Sequence, residues 1–310
     1  MKFLYTTVLS LIITNKLIAQ TNVVQDTKGE TGLALGTAGV VAINAKDESI
    51  SFSYGVPVFK STDAKAPKHY MGASAKGKGK NGLAAILKND EFQYDGNIGL
   101  FYFTDWVIND DVTLQWHGSA DFLFNQFKLF DSSASIPFSK QVYDQNKSGY
   151  KLTVGANLLA TVGKLSCLGG LSFNGGNKNN TGDLKAIEVA TYTTMVDPLT
   201  LQTRIIQKDK STAYSIKEYK PSLGYFNINM DLGAQVFKQG LLMFHPRWSV
   251  QEERKPQFNP AIGLYFTKSQ APLDVVAGIQ LQVSDWANTA ESIKTRKERT
   301  VVNIVAGFSF

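Results

Sequence analysis

Two of the three histidines in this 310-residue chain sit at strand-like spacing from charged neighbours. His117 and Asp121 are four residues apart and His245 and Arg247 two apart, so in an extended segment each pair projects from one face. An imidazole beside a carboxylate could act as a general base in a membrane-embedded hydrolase. The same alternation puts Asp105, Lys151, Asp231 and Asp274 on the inward side. The competing account is that these groups pair across an enclosed interior and fill it, because charges withdrawn from bulk water must be paired or hydrated. The second account is preferred. A Ser-His-acid site needs an exposed serine elbow such as GxSxG, and the chain has none. His69, His117 and His245 form no HxxxH or HxxEH spacing, and Cys167 is the single cysteine, which excludes a multi-thiolate metal site and an intramolecular disulfide. The chain therefore reads as non-enzymatic, with no catalytic, metal or cofactor residues.

Two other polar groupings yield to plainer explanations. Asp110-Asp111 follows Asn109 in a turn, where Asn and Asp are favoured for backbone reasons. Lys76, Lys78 and Lys80 alternate with glycines, but neither the spacing nor a strand-to-helix context makes a phosphate loop, and a solvated turn is expected.

The elements that must carry these residues have a period of two. From Ser222 to Val236 the even positions include Phe226, Ile228, Met230, Leu232 and Val236, while the odd ones include Asn227, Asn229, Asp231 and Gln235. Val112 to Asn125 splits in the same way, and so do Ile50–Val58, Ile98–Trp106, Leu152–Ala160, Leu165–Phe173, Leu242–Val250, Phe258–Phe266, Leu273–Val283 and Val302–Phe310. Most run near the roughly 9 to 11 residues a tilted strand needs to span a bilayer, longer than the five to six typical of soluble sheets. The polar face is small and amide-rich, and aromatics such as Trp106, Trp248 and Phe266 stand near segment ends. The fold class this predicts is all-β, an antiparallel transmembrane β-barrel of about 12–14 strands. Weaker segments at Leu33–Ala42, His69–Ala75 and Gly82–Leu87 bring ten to thirteen, and a closed single-chain barrel needs an even count: twelve if Thr31–Ala42 is luminal, fourteen, slightly preferred, if the chain around Val23–Val24 adds a strand.

Residues 1–19 carry Lys2, an apolar run from Phe3 to Thr14 and a small-residue exit at Ala19, the pattern of a cleaved secretory signal. Residues 20–310 then form the barrel, placed in the outer membrane of a Gram-negative cell. Its removal lowers the net charge from +6 to +4, too little to suggest nucleic acid as a partner. Gaps between segments alternate long and short, with outward loops expected at 125–151, 174–221 and 284–301 and short turns at the other end. Segments Ile187–Met195 and Leu201–Gln207 form a hairpin around Asp197-Pro198 within the longest loop. The tract Asn174 to Asn180 reads as mobile.

The stretch Ala66 to Phe127 resembles the PorP/SprF-like membrane proteins of type IX secretion. The residues that carry the resemblance are Ala66-Pro67-Lys68-His69-Tyr70, then Lys76-Gly77-Lys78-Gly79-Lys80, then Gly82 to Asp90, then the aromatic strand Asn97 to Trp106. The signal ending in Ala-Gln and the terminal Phe-Ser-Phe fit as well. In place of the family's Asn-Pro-Ala-Tyr-like opening stands Leu35-Gly36-Thr37-Ala38-Gly39. The resemblance implies a non-enzymatic outer-membrane partner that binds, or helps export or anchor, a large secreted or surface-exposed protein. The alternative is an outer-membrane channel or ligand-specific, porin-like transporter; a TonB-dependent transporter, with about 22 strands and a plug, exceeds the chain's length. Candidate partner contacts lie in the longest loop, where Tyr192, Tyr214 and Tyr219 stand among Lys217 and Lys220. Asp105, His117, Asp121, Asp231, His245 and Arg247 make up the expected polar network of the lumen.

Overall fold

A computed structural model describes residues 23–24, 33–34, 40–44, 49–58, 66–78, 95–163, 165–181, 184–185, 187–268, 271–289, 295–297 and 299–306. The signal segment, Gly82–Leu87 and the terminal Phe308 and Phe310 lie outside the described residues. The chain forms β1 (Val23–Val24), β2 (Leu33–Ala34), β3 (Val40–Asn44), β4 (Ser49–Pro57), β5 (Lys68–Lys78), β6 (Asp95–Asn109), β7 (Val112–Phe130), β8 (Val142–Val162) and β9 (Leu165–Lys178). It continues through β10 (Ile187–Val196), β11 (Thr203–Ser215), β12 (Leu223–Phe237), β13 (Gly240–His245), β14 (Arg247–Gln251), β15 (Gln257–Phe258), β16 (Ala261–Lys268), β17 (Ala271–Val283) and β18 (Thr300–Ala306). Among the described residues no helix is long and apolar enough to cross a membrane.

The wall is an antiparallel path from β3 to β18 in chain order, with β10 and β11 set aside as a hairpin. Pro246 divides one wall strand into β13 and β14, since proline cannot donate to the ladder; both halves pair with β12. Counting the halves as one position, the path holds twelve strands among the described residues, within the 12–14 expected. Val23–Val24 pairs only with Leu33–Ala34 in a separate two-residue ladder, and the wall strand expected over Leu33–Ala42 is β3, further along the chain. At the ends of the path β3 and β18 lie side by side, with no ladder between them among the described residues. The result is an antiparallel β-barrel.

Its outer face is apolar. On β6 the even residues Ile98, Leu100, Trp106 and Ile108 are 50–65% exposed, whereas Phe101, Phe103 and Asp105 between them are at most 9% exposed. At about 3.3 Å per residue and a tilt of about 40°, the face from Ile98 to Ile108 covers roughly 25 Å of height, the depth of the apolar band of outer-membrane barrels. Strand phase is fixed by this division, because slipping one residue would turn every apolar side chain into the lumen. The short turns cluster at one end: Asp111 N–H bonds Asn109 Oδ1 at 2.9 Å after β6, and Gly163, with φ of 66°, reverses the chain after β8.

At the opposite end the 125–151 segment corrects the sequence expectation. It is largely paired strand, with β7 and β8 in register as far as Phe130↔Val142, so the connection narrows to 131–141. The reason is that alternation continues beyond Phe124 with its polarity inverted. Up to Phe124 the outward residues are apolar and the inward ones polar; beyond it Gln126 and Lys128 face out while Phe127 and Leu129, 3% and 2% exposed, face in. An arm surrounded by water rather than lipid must bury its grease inside. Counting loop residues by the loss of one pattern misses the start of its mirror image.

Candidate functional site: the lumen belt and the outward hairpin

The six expected lumen residues, Asp105, His117, Asp121, Asp231, His245 and Arg247, are all buried, none above 9% exposed. Inward phase puts them there: Asp105 on β6, His117 and Asp121 on β7, Asp231 on β12, His245 and Arg247 on either side of Pro246. Asp231 Oδ1 accepts hydrogen bonds from His245 Nδ1–H and Arg247 Nη2–H, both at 2.6 Å. With the proton on Nδ1, His245 Nε2 accepts from the Tyr265 hydroxyl at 3.1 Å. Arg247 also donates through Nη1 to the Met230 carbonyl. Asp121 pairs with Lys151 at 3.3 Å and receives Asn97 Nδ2–H at 3.3 Å. Asp105 accepts from Gln115 Nε2–H at 2.7 Å, and Lys68 stands opposite it in the β5–β6 register. Asp274 belongs to β17, where its side chain lies outside the described residues.

Amides join these clusters into a belt. Asn157 donates to Gln115 Oε1 at 3.0 Å, Asn227 to Asn174 Oδ1 at 2.7 Å and Asn229 to Ser172 Oγ at 3.3 Å. The amides were legible only as inward parity, without charge to draw attention to them. Glycines cut notches for the long side chains. A Cβ at Gly155 would sit 2.6 Å from both His117 Nε2 and Ser172 Cβ, and one at Gly99 would overlap the Asp121 carboxylate.

Below and beside the belt the lumen is filled with apolar groups. Leu159, Leu168, Leu241, Met243 and Tyr265 form a buried cluster next to the short turns. Tyr70, Phe101 and Phe103 form another, with Tyr70 and Phe103 stacked at 4.5 Å. The sequence pattern did not anticipate large inward aromatics. Together with Gln280 and Gln282, both 0% exposed, they occupy the interior among the described residues. Asp231, His245 and Tyr265 resemble an acid–imidazole–hydroxyl relay. Exposures of 4%, 0% and 0% leave no approach for a substrate to the tyrosine oxygen, and the geometry is that of a packed, paired network. No group of His, Cys, Asp or Glu suited to a metal occurs among the described residues.

The outward end is built around Phe127. Hairpin β10–β11 pairs from Ile187↔Ala213 to Val196↔Thr203, turning at Asp197-Pro198 as the sequence expected. Its base docks in parallel on β7 through Tyr214↔Leu129 and Ser215↔Phe130. Tyr214 and Tyr219 turn inward against Phe127, with ring centroids 6.3 and 5.2 Å away. Burial pushes the Tyr219 phenol up to about 12, with the neighbouring Tyr143 adding to it. These two tyrosines anchor the hairpin. Lys220 pairs with Glu253, Lys217 is exposed, and Tyr192 is 61% exposed. Asn180 clamps the base, donating to the Glu218 carbonyl and accepting from Lys220 N–H, both at 2.8 Å. The tract 174–180 is accordingly ordered, most of it within β9. Asp131, in the β7–β8 connection, is held below the usual carboxylate range by the hydroxyl and backbone N–H of Ser133.

A cluster of exposed apolar residues outside the barrel wall escaped the sequence reading. Met195, Val196, Leu199, Leu201 and Ile205 surround the hairpin turn at 56–92% exposure. The signal was present as a run of apolar residues on both sides of Asp197-Pro198, where a solvated turn would carry polar ones.

No protein-family model and no curated protein matches the chain. Among solved structures it is similar to a double mutant of the ferric enterobactin receptor PfeA from Pseudomonas aeruginosa, with 11% identity and a TM-score of 0.26 over 79% of this chain and 42% of that one. It is also similar to the outer membrane transporter YddB from Escherichia coli, with 9% identity and a TM-score of 0.30 over 83% of this chain and 39% of that one. The chain thus spans about two fifths of the length of the transporters it matches.

Proposed function

We propose that this barrel resides in the outer membrane and works through its outward face, binding, and helping to export or anchor, a large secreted or surface-exposed protein of type IX secretion. The resemblance of Ala66 to Phe127 to PorP/SprF-like proteins supplies the system. One observation carries the mode of action: the lumen is filled with buried side chains, while hairpin β10–β11 presents large apolar residues to solvent. A conducting channel needs the reverse arrangement. The free edge of β10 reinforces the reading. Its sequence, IEVATYTTMV, has six β-branched residues, no Lys and no Pro, and among the described residues its ladder is with β11 alone. Proteins usually blunt an exposed edge with such residues, and an unblunted one suits addition of a strand from another polypeptide. The role is non-enzymatic and needs no cofactor.

The test removes residues 188–208 and closes the gap with a short Gly/Ser linker, which retains Tyr214, Tyr219 and the dock on β7. A photo-cross-linker at Tyr192 in the unmodified chain identifies what the hairpin touches in native membranes. The expected result is a heat-modifiable, assembled barrel that no longer retains the cross-linked surface protein. Retention of that protein by the deletion variant, or steady single-channel conductance of the intact chain in planar bilayers, overturns the proposal.

A further inference from the structure

The outward rim carries a second built feature, on the side of the β14–β18 strands. Trp286 follows β17; its backbone N–H bonds the Phe258 carbonyl at 2.8 Å. The Phe258 ring packs on the lipid-side Trp248 at 5.0 Å, which continues the aromatic rim up to Trp286, itself 48% exposed. The Arg296 guanidinium stacks on the Trp286 ring, 3.4 Å from its centroid, and exposed Lys297 comes next in the chain. The platform is held from beneath. Ser284 N–H bonds the Arg299 carbonyl at 3.0 Å, Arg299 donates to the Ser284 and Asp285 carbonyls, and Thr289 Oγ1–H reaches the Pro256 carbonyl at 3.0 Å. That last bond ties the loop to the turn after β14, which adds exposed Arg254 and Lys255 to the same rim.

Three carboxylates close to the platform have partners within the fold. Glu252 accepts the Gly224 N–H at 2.9 Å, Glu253 pairs with Lys220, and Asp285 accepts the Thr289 N–H and hydroxyl at 2.9 and 2.8 Å. Arg296 and Lys297 make a cationic shelf on an interfacial tryptophan. The planar guanidinium keeps its donor fork while its face rests on the indole, so stacking and bidentate binding of an oxyanion are compatible. Aromatic rings mark the level of lipid headgroups, and cations at that level meet phosphate.

We propose that Trp286, Arg296 and Lys297 form a site for the phosphate of an anionic glycolipid headgroup in the outer leaflet. This rests on the membrane placement in the proposed function but not on any protein partner. The chain is reconstituted in phosphatidylcholine nanodiscs doped with lipid A, with lipid A stripped of its phosphates, or with inorganic phosphate alone, and retained lipid is counted by native mass spectrometry. Phosphorylated lipid A should be retained at least tenfold over the stripped form; Arg296→Gln with Lys297→Gln should abolish that preference, while Lys140→Gln, a cation on another outward connection, should keep it. Equal retention of both lipids by the unmodified chain, an unchanged preference in the double variant, or complete displacement by equimolar inorganic phosphate overturns the site. If the chain inserts but shows no preference, the site alone fails; if it does not enter nanodiscs, the membrane placement fails and the site with it.

Discussion

Removing the Asp231 carboxylate should be among the most damaging single changes available in this chain. Asp231→Ala leaves Arg247, 0% exposed, without its anionic partner, and deprives His245 of the acceptor that fixes its tautomer. Breaking a buried pair from one side costs about 3–5 kcal/mol, because the remaining charge has lost its compensation and cannot return to water. Midway in that range, the unfolding equilibrium shifts by a factor of about 10³. Arg247→Met should cost less, since the His245 N–H still reaches Asp231. Joint replacement, Asp231→Leu with Arg247→Met, removes both charges and keeps the His245–Tyr265 bond; it should return to within about 1 kcal/mol of the parent, as apolar substitutes for buried pairs generally do. The assay is reversible urea unfolding in detergent or bilayer, followed by tryptophan fluorescence, and the coupling comes from the double-mutant cycle of Asp231→Leu and Arg247→Met, measured singly and together. A loss under about 1 kcal/mol for Asp231→Ala, with no coupling to Arg247, would refute the reasoning by showing the pair to be hydrated.

The other expectations are independent of that network. All four tryptophans, Trp106, Trp116, Trp248 and Trp286, are 39–50% exposed on the outer surface, so brominated lipids should quench their emission strongly and aqueous iodide weakly; the opposite order would invert the barrel. Gly155→Ala should cost about 1–3 kcal/mol through overpacking against His117 and Ser172, and Gly163→Ala, where nothing lies within 4 Å, about 1 kcal/mol from backbone strain alone. Unfolding midpoints that reverse this ranking would contradict the notch assignment. Tyr219, raised from 10.0 to about 12, favours folding fully below pH 10, and that contribution fades as pH climbs through about 12; phenolate absorbance should therefore lag behind that of free tyrosine, and cross-linking of the hairpin to β7 should fail at the alkaline end. Ionisation of Tyr219 at the ordinary pH, with no effect on the hairpin, would place its ring in water.

The barrel was legible because strand geometry converts a two-solvent environment into a period of two. Ten clear segments marked the wall, and the same parity put Asp105, His117, Asp121, Asp231, His245 and Arg247 inside. Parity could say which face a residue occupies but not how full the interior is. Phe101, Phe103, Leu241 and Met243 break the apolar-out, polar-in pattern, and the structure buries them inside. Strand number could be read only as 12–14, because Val23–Val24 satisfies the pattern over two residues without joining the wall among the described residues. The packing of Tyr214 and Tyr219 was not legible for a different reason: an aromatic among lysines looks alike whether its ring meets solvent or, as here, Phe127 on a strand some ninety residues earlier.

The inversion at Phe124 also fixes how deep the barrel floats. Raising it would carry Ile98 and Phe122 out of hydrocarbon, and sinking it by one residue pair, about 6.6 Å along a strand, would drag Gln126, Lys128, Asp144 and Asn146 in. Submerging a single charged side chain costs up to about 2–4 kcal/mol near the midplane, so four polar groups on one hairpin act as a waterline. A barrel with a fixed draught cannot adapt to a thicker bilayer by sliding. The lipid must deform around it instead, which selects membranes of matching thickness and holds the hairpin at a constant distance above the surface.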